Sequence, residues 1–320
     1  MGSNQQPYPR GIHVPCLTWF KADTAQSIDW ELQERHLEFL VSSGLHGIVI
    51  AGTNGEAATL KPEEKSHLLR LTRSTAQKLG RADLPVTCGT FGGCTQAIID
   101  DTKLVAEAGA DYALVLVPSY FHFALDAAAI VGFFQEVATA SPIPIIIYNF
   151  PGVAAGLNVN SEMLETLGEH PNIAAVKLTC GAIASVARTA AKFGRALEGR
   201  SSFVALAGQS DWLVPCLSVG GAGSVTGLAN LYPKTLVELY NLHNAGKTAE
   251  AEKLQLQVAV SEWGFAKGGI NGTKWVVAKS LGYAEESSWC RRPYPPFLDD
   301  EKRIWITKQV KSIEMIENRL

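Results

Sequence analysis

The chain has 320 residues, 47% hydrophobic and 18% charged, with a formal net charge of −3. That length buries a large core, and one α/β barrel commonly fills it. The near-neutral balance lacks the basic footprint of a nucleic-acid binder and any polybasic membrane patch, and no apolar run is long enough to span a bilayer. The six cysteines, at 16, 88, 94, 180, 216 and 290, contain no C-x-x-C pair. Neither a zinc ribbon nor a disulfide framework is implied, and a reducing, intracellular setting is the expectation. The polar start from Met1 to Gln6 has no apolar signal core and no Arg-rich amphipathic pattern. A cytoplasmic location is therefore expected, with the mitochondrion as the alternative.

In chain order, aliphatic runs near 12–18, 47–52, 85–90, 112–118, 143–149, 173–179, 203–208 and 223–228 predict eight strands. Between them lie helical spacings such as Ile28, Leu32, His36 and Phe39-Leu40, or Ile98-Ile99, Thr102 and Val105-Ala106. Several helices end in Gly a few residues before the next strand, as at Gly44, Gly109 and Gly220. Gly past the last turn takes the left-handed cap and lets the chain turn into a sheet. Eight strands alternating with helices predict an α/β fold, a (β/α)8 TIM barrel, over residues 11–245. The runner-up, an open doubly wound sheet, lacks G-x-G-x-x-G at its first turn. Residues 246–320 predict a C-terminal helical extension of the same domain, with breaks near Gly268-Gly269 and at Arg292-Pro293-Tyr294-Pro295-Pro296.

In such a barrel chemistry sits at the C-terminal strand ends. Strand two ends in Gly52-Thr53-Asn54-Gly55-Glu56, strand four in Pro118-Ser119-Tyr120, strand five in Tyr148-Asn149, and strand seven at Gly208. Strand six, Ile173-Ala174-Ala175-Val176-Lys177-Leu178-Thr179, sets one lysine in an apolar run. A buried ammonium must be paired or lose its proton. Lys177 either snorkels to water at the strand end or is a neutral amine able to attack a carbonyl. By alternation it shares a face with Ala175 and Ile173. If Tyr148 also faces the interior, a phenolic proton carrier stands next to that amine. The 52–56 loop is either a plain strand–helix turn with Glu56 in the first helical turn or a carboxylate site built from backbone N–H groups and the Thr53 hydroxyl at a helix start. Tyr120 and Tyr148 have the plainer readings of a loop aromatic and a core tyrosine. His13, His36, His46 and His122 lack metal-ligand spacing and are expected to be structural or exposed.

Taken together, these residues resemble the pyruvate-dependent class I aldolases, the family of dihydrodipicolinate synthase and N-acetylneuraminate lyase. The resemblance runs from about residue 11 to 310. It rests on Gly52-Thr53-Asn54-Gly55-Glu56 for G-[TS]-x-G-E, Tyr148-Asn149-Phe150-Pro151 for Y-N-x-P, and Lys177-Leu178-Thr179 for K-x-[ST]. It implies that Lys177 forms a Schiff base with a 2-oxo acid, that Tyr148 carries the proton at the aldol oxygen, and that Thr53 relays it. It further implies that the Thr53 and Asn54 amides bind the pyruvate carboxylate, with Gly208 and the backbone of Val225 lining the pocket. Tyr120 would cross into a neighbouring subunit's site in a homotetramer, a dimer of dimers. No cofactor and no metal are implied.

The chain also departs from dihydrodipicolinate synthase. Where that enzyme carries an Arg two residues after the Y-N-x-P proline, this chain has Val153, and Asn54 replaces the usual second Thr. Both changes, with Gly269-Ile270-Asn271-Gly272-Thr273-Lys274, are more similar to 4-hydroxy-2-oxoglutarate aldolase and the fungal 2-keto-3-deoxy-sugar-acid aldolases. The expected activity is cleavage of such a 2-oxo acid to pyruvate and an aldehyde. Dihydrodipicolinate synthase, condensing pyruvate with aspartate semialdehyde, is the alternative within the family. A non-catalytic barrel acting as a binding protein is the alternative outside it. The partners expected are a small 2-oxo acid and other copies of the chain, not nucleic acid or a membrane.

Overall fold

The computed structural model describes residues 8–198 and 202–320. Eight parallel strands close a barrel in sequence order: β1 (Gly11–Pro15), β2 (Gly47–Ile50), β3 (Val86–Thr90), β4 (Tyr112–Leu116), β5 (Ile145–Asn149), β6 (Ile173–Leu178), β7 (Val204–Ala207) and β8 (Gly223–Val225). β1 pairs with both β2 and β8, which closes the ring. The predicted (β/α)8 barrel is therefore the observed fold. Several strands stop short of their predicted C-terminal ends, β4 at Leu116 and β8 at Val225 for example. The last residues of those runs leave the sheet to build loops.

The outer layer comprises α1 (Trp30–Ser42), α2 (Pro62–Lys78), α3 (Thr95–Glu107), α4 (Ala127–Ala140), α5 (Ser161–Leu167), α6 (Ile183–Phe193), α7 (Leu213–Ser218) and α8 (Pro233–Asn244). Their starts are locally encoded. Asp29, Asp126 and Asn160 accept hydrogen bonds from the amides of Leu32, Ala129 and Met163, satisfying donors that a first helical turn leaves unpaired. At the other ends Gly44, Gly109 and Gly220 have φ of +77°, +106° and +101°, the left-handed caps that the sequence predicts.

The core has two layers. Ile147, Val176 and Leu178 face outward and pack with Phe134 and Leu164 of the helices. Val49, Leu114, Ile146, Ala175, Leu206 and Val225 face inward around Tyr148. Alternation alone puts Ile173 on the inward face of β6, and the structure corrects this. Ile145 pairs with Ile173 but Ile146 pairs with Ala175, a register shift that adds one residue to β6. The extra residue sends Ala174 and Ala175 both inward and leaves Ile173 outward. Two small residues thus lie beneath Lys177.

Beyond α8 run α9 (Thr248–Leu281), α10 (Asp300–Val310) and α11 (Glu314–Glu317). The predicted break near Gly268-Gly269 is a kink inside α9, with Gly269 at φ 59° and ψ −165°, a conformation open in practice to glycine alone. α9 grips the loops at the C-terminal barrel face. Glu262 accepts from the Ser210 amide at 3.1 Å and from Thr226 Oγ1 at 2.8 Å, and Gln255 donates to the Ser210 carbonyl at 2.9 Å. Among the described residues no helix is long and apolar enough to cross a membrane.

Candidate active site

Tyr148 and Lys177 are register partners on β5 and β6. Both are buried, at 2% and 3% exposure, so the lysine does not snorkel to water. Its Nζ stands 4.3 Å from the centroid of the Tyr148 ring. The phenol hydroxyl meets Thr53 Oγ1 at 3.0 Å. Three groups from β6, β5 and the loop after β2 therefore form one continuous set. Asn149 holds the neighbouring loop: it donates to Asn158 Oδ1 at 2.9 Å and accepts from the Val159 amide at 3.0 Å. The Phe150–Asn158 turn that carries Val153 is pinned by these bonds.

The 52–56 loop differs from both sequence readings in one respect. It does not open an α-helix. Glu56 lies in the left-handed region at φ 56°, its amide bonded to the Thr53 carbonyl at 3.0 Å. A 3-10 turn (Ala57–Thr59) follows, and α2 starts only at Pro62. Proline presets the helical φ there, and Glu64 accepts from the Lys61 amide at 2.9 Å, so the capping signals belong to 61–64 and not to 53–56. The Thr53 and Asn54 amides nevertheless stay available: among the described residues neither donates to a protein acceptor.

Glu56 is tied to the far end of the chain. Lys274 Nζ donates to its Oε1 at 2.7 Å and the Arg291 amide to its Oε2 at 2.8 Å. Lys274 also reaches the Trp289 carbonyl at 3.2 Å and lies 4.6 Å from the Phe20 ring centroid. Arg291 in turn holds Glu64 through two bonds of 2.7 Å. Sequence reading missed this network. Its one visible signal was Lys274 set beside the apolar run Trp275-Val276-Val277-Ala278.

A cavity of about 480 Å³ opens beside Thr53. Thr53, Ser119 and Val153 line it from the barrel loops, and Ile270, Cys290 and Tyr294 from the C-terminal segment. No Arg, Lys or His is among its lining residues. Burial pushes the Cys290 thiol up to about 12, and it donates to Asn271 Oδ1 at 3.4 Å.

The other predicted residues are placed as follows. Asn54 is half-buried against Gly227. Gly208 presses on Thr179, whose Oγ1 would lie 2.2 Å from a Cβ at 208. The Val225 side chain packs in the inward cluster with Tyr148. Tyr120 is not brought to Tyr148 within the chain: it is 83% exposed, its ring 4.9 Å from that of Phe121. His13 and His36 are structural, bonded to the Pro9 carbonyl at 2.9 Å and to Asn230 Oδ1 at 3.2 Å. Among the described residues no group of three potential metal ligands occurs.

The chain is 38% identical over 288 residues, 90% of each protein, to a protein of Emericella nidulans named for mitochondrial 4-hydroxy-2-oxoglutarate aldolase. It is 36% identical over 287 residues, 89% of this chain and 90% of the other, to L-threo-3-deoxy-hexylosonate aldolase of Hypocrea jecorina. In structure it is similar to a dihydrodipicolinate synthase family protein from Coccidioides immitis, with a TM-score of 0.86, 33% identity and 98% coverage of both chains. The profile of the dihydrodipicolinate synthetase family matches residues 8–313, and the chain belongs to that family.

Proposed function

We propose that the protein is a class I aldolase that cleaves a 2-keto-3-deoxy sugar acid, or a related 4-hydroxy-2-oxo acid, to pyruvate and an aldehyde. The observation that carries this is the buried Lys177 amine at 4.3 Å from the Tyr148 ring, with the Tyr148 hydroxyl 3.0 Å from Thr53 Oγ1. The Lys177 nitrogen attacks C2 of the substrate and water leaves, giving an imine that serves as electron sink. Tyr148 accepts the proton of the C4 hydroxyl as the C3–C4 bond breaks, the aldehyde departs, and the bonding pair remains as an enamine. Protonation at C3 and attack of water on the imine release pyruvate and restore the amine. Thr53 relays the phenol's proton, and the unengaged Thr53 and Asn54 amides receive the substrate carboxylate. Gly208 and Val225 close the pyruvate end.

The names of the relatives support an aldolase over a synthase, and so does the cavity. Aspartate semialdehyde would bring a second carboxylate, as would the glyoxylate half of 4-hydroxy-2-oxoglutarate, and an unpaired charge out of water costs several kcal/mol, which favours the sugar acid of the two substrate classes. The cavity wall offers no cation. Pyruvate treated with borohydride tests the reading: a stable adduct on Lys177, located by peptide mass, is expected together with pyruvate release from a panel of 4-hydroxy-2-oxo acids. An adduct on another lysine, or none, overturns it and favours a non-catalytic barrel.

Association into a homotetramer belongs to the same proposal. Tyr120, Phe121 and Phe123 are 83%, 62% and 79% exposed, an apolar cluster on a loop that a neighbouring copy would cover. Tyr120 would then complete the neighbour's site, which sedimentation of the Tyr120→Ala variant tests. The six free cysteines support a reducing compartment, and fractionation distinguishes the proposed cytoplasm from the mitochondrion that some relatives' names carry.

A further inference from the structure

We propose that Ile270, Cys290 and Tyr294, all supplied by the C-terminal segment and not by the barrel, form the wall that contacts the aldehyde half of the substrate and sets which aldehyde is accepted. This rests on the aldolase reading above. Thr53 both bonds Tyr148 and lines the cavity, so the cavity adjoins the proposed proton relay, although Lys177 and Tyr148 are not themselves among its lining residues. With the pyruvate half at Lys177, the carbons from C4 onward have that space to occupy.

Size and chemistry define what fits. About 480 Å³ is within the range of small-molecule pockets and more than a two-carbon aldehyde fills. Thr53 and Ser119 line it from the barrel and Tyr294 and Cys290 from the C-terminal side, together with the apolar Ile270 and Val153. The one carboxylate on the wall, Glu56, is paired with Lys274. Such a surface suits a neutral polyhydroxylated aldehyde of three or more carbons.

The wall is also built to stay in place. The Gly269 kink redirects α9 immediately before Ile270. Cys290 is anchored on both sides, because the Trp289 carbonyl accepts from Lys274 and the Arg291 amide donates to Glu56. Glu56 is three residues from Thr53, so the specificity wall and the proton relay share one support.

The test is aldol addition of pyruvate to glyceraldehyde and to the shorter glycolaldehyde, read as kcat/KM. Tyr294→Phe is expected to lower the glyceraldehyde-to-glycolaldehyde ratio about tenfold, the loss of one hydrogen bond. Ile270→Trp, which fills the cavity, is expected to lower it as well. Tyr294 is half-exposed, and its conversion to Phe removes one atom, so that arm stands if the tryptophan variant fails to fold. An unchanged ratio in the Phe variant overturns the inference. Borohydride trapping of pyruvate on the unaltered protein separates the two claims. Trapping with an unchanged ratio removes only this inference, whereas absence of trapping removes the aldolase reading itself.

Discussion

Lys274 and Glu56, 218 residues apart in the chain, meet at 2.7 Å with side-chain exposures of 0% and 3%. Two charges out of water are tolerated because each is paired and further hydrogen-bonded, Lys274 to a carbonyl and Glu56 to an amide. The pair holds Glu56 in the left-handed conformation that shapes the 52–56 loop.

Breaking that pair should be costly. Lys274→Met leaves Glu56 charged and buried, and a loss of about 3–5 kcal/mol of stability is expected. Adding Glu56→Gln should restore part of it by removing the stranded charge. Urea unfolding of the single and double variants checks this. A single variant within experimental error of the parent would show the pair to be solvated in solution.

Tyr148→Phe keeps the ring under Lys177 and deletes only the hydroxyl that meets Thr53. Turnover is expected to fall by about 10²–10⁴ while pyruvate still forms a trappable imine. Near-normal turnover would move the proton transfer to another group, with Thr53 the nearest.

On the proposed reading, Val153 bears on the rejection of a charged aldehyde through what it lacks. The unaltered protein is expected to use glyceraldehyde as pyruvate's partner and to use aspartate semialdehyde weakly or not at all. Val153→Arg places a cation at the cavity and should raise kcat/KM for the semialdehyde, because a paired carboxylate no longer carries the full desolvation cost. Efficient use of aspartate semialdehyde before the substitution contradicts the assignment.

Two buried histidines predict a pH dependence of stability. Burial holds His13 at about 3 and His36 at about 4, below the ordinary histidine value near 6.5. Between these limits the unfolded chain binds protons that the folded one does not. Their contribution is therefore complete above about pH 6.5 and is lost as pH falls toward 4 for His36 and toward 3 for His13, by at most about 1.4 kcal/mol per pH unit for each ring. Denaturant unfolding near pH 7 and near pH 5 measures the change, and NMR titration assigns it. A His36 ring that titrates near 6.5 in the folded protein would contradict this.

Much of the site was legible before any coordinates, for local reasons. An apolar run with one lysine, flanked by Pro171-Asn172 and Cys180-Gly181, marks a buried strand. Tyr148 and Lys177 were recognisable as the reactive residues of β5 and β6, but the bulge between Ile173 and Ala175 sets the register that makes them partners. The 52–56 loop was legible as a turn but not in shape, because its conformation depends on Lys274 and Arg291. Tyr120 was recognised as a residue type, yet its exposure depends on where the loop after β4 leaves the sheet.

By itself, the sequence determined the order of strands and helices, the left-handed glycine caps, the barrel they imply, and which strand ends carry reactive side chains. Each of these follows from periodicity and backbone preference within a few residues. Only the tertiary structure decided that β6 carries a bulge turning Ala174 and Ala175 inward, that Glu56 is clamped from the C-terminal helices, and that Ile270, Cys290 and Tyr294 complete the cavity. Those features arise where separate segments of the chain pack against one another, and neither spacing nor propensity within a segment records which side chain of another will fill the space beside it.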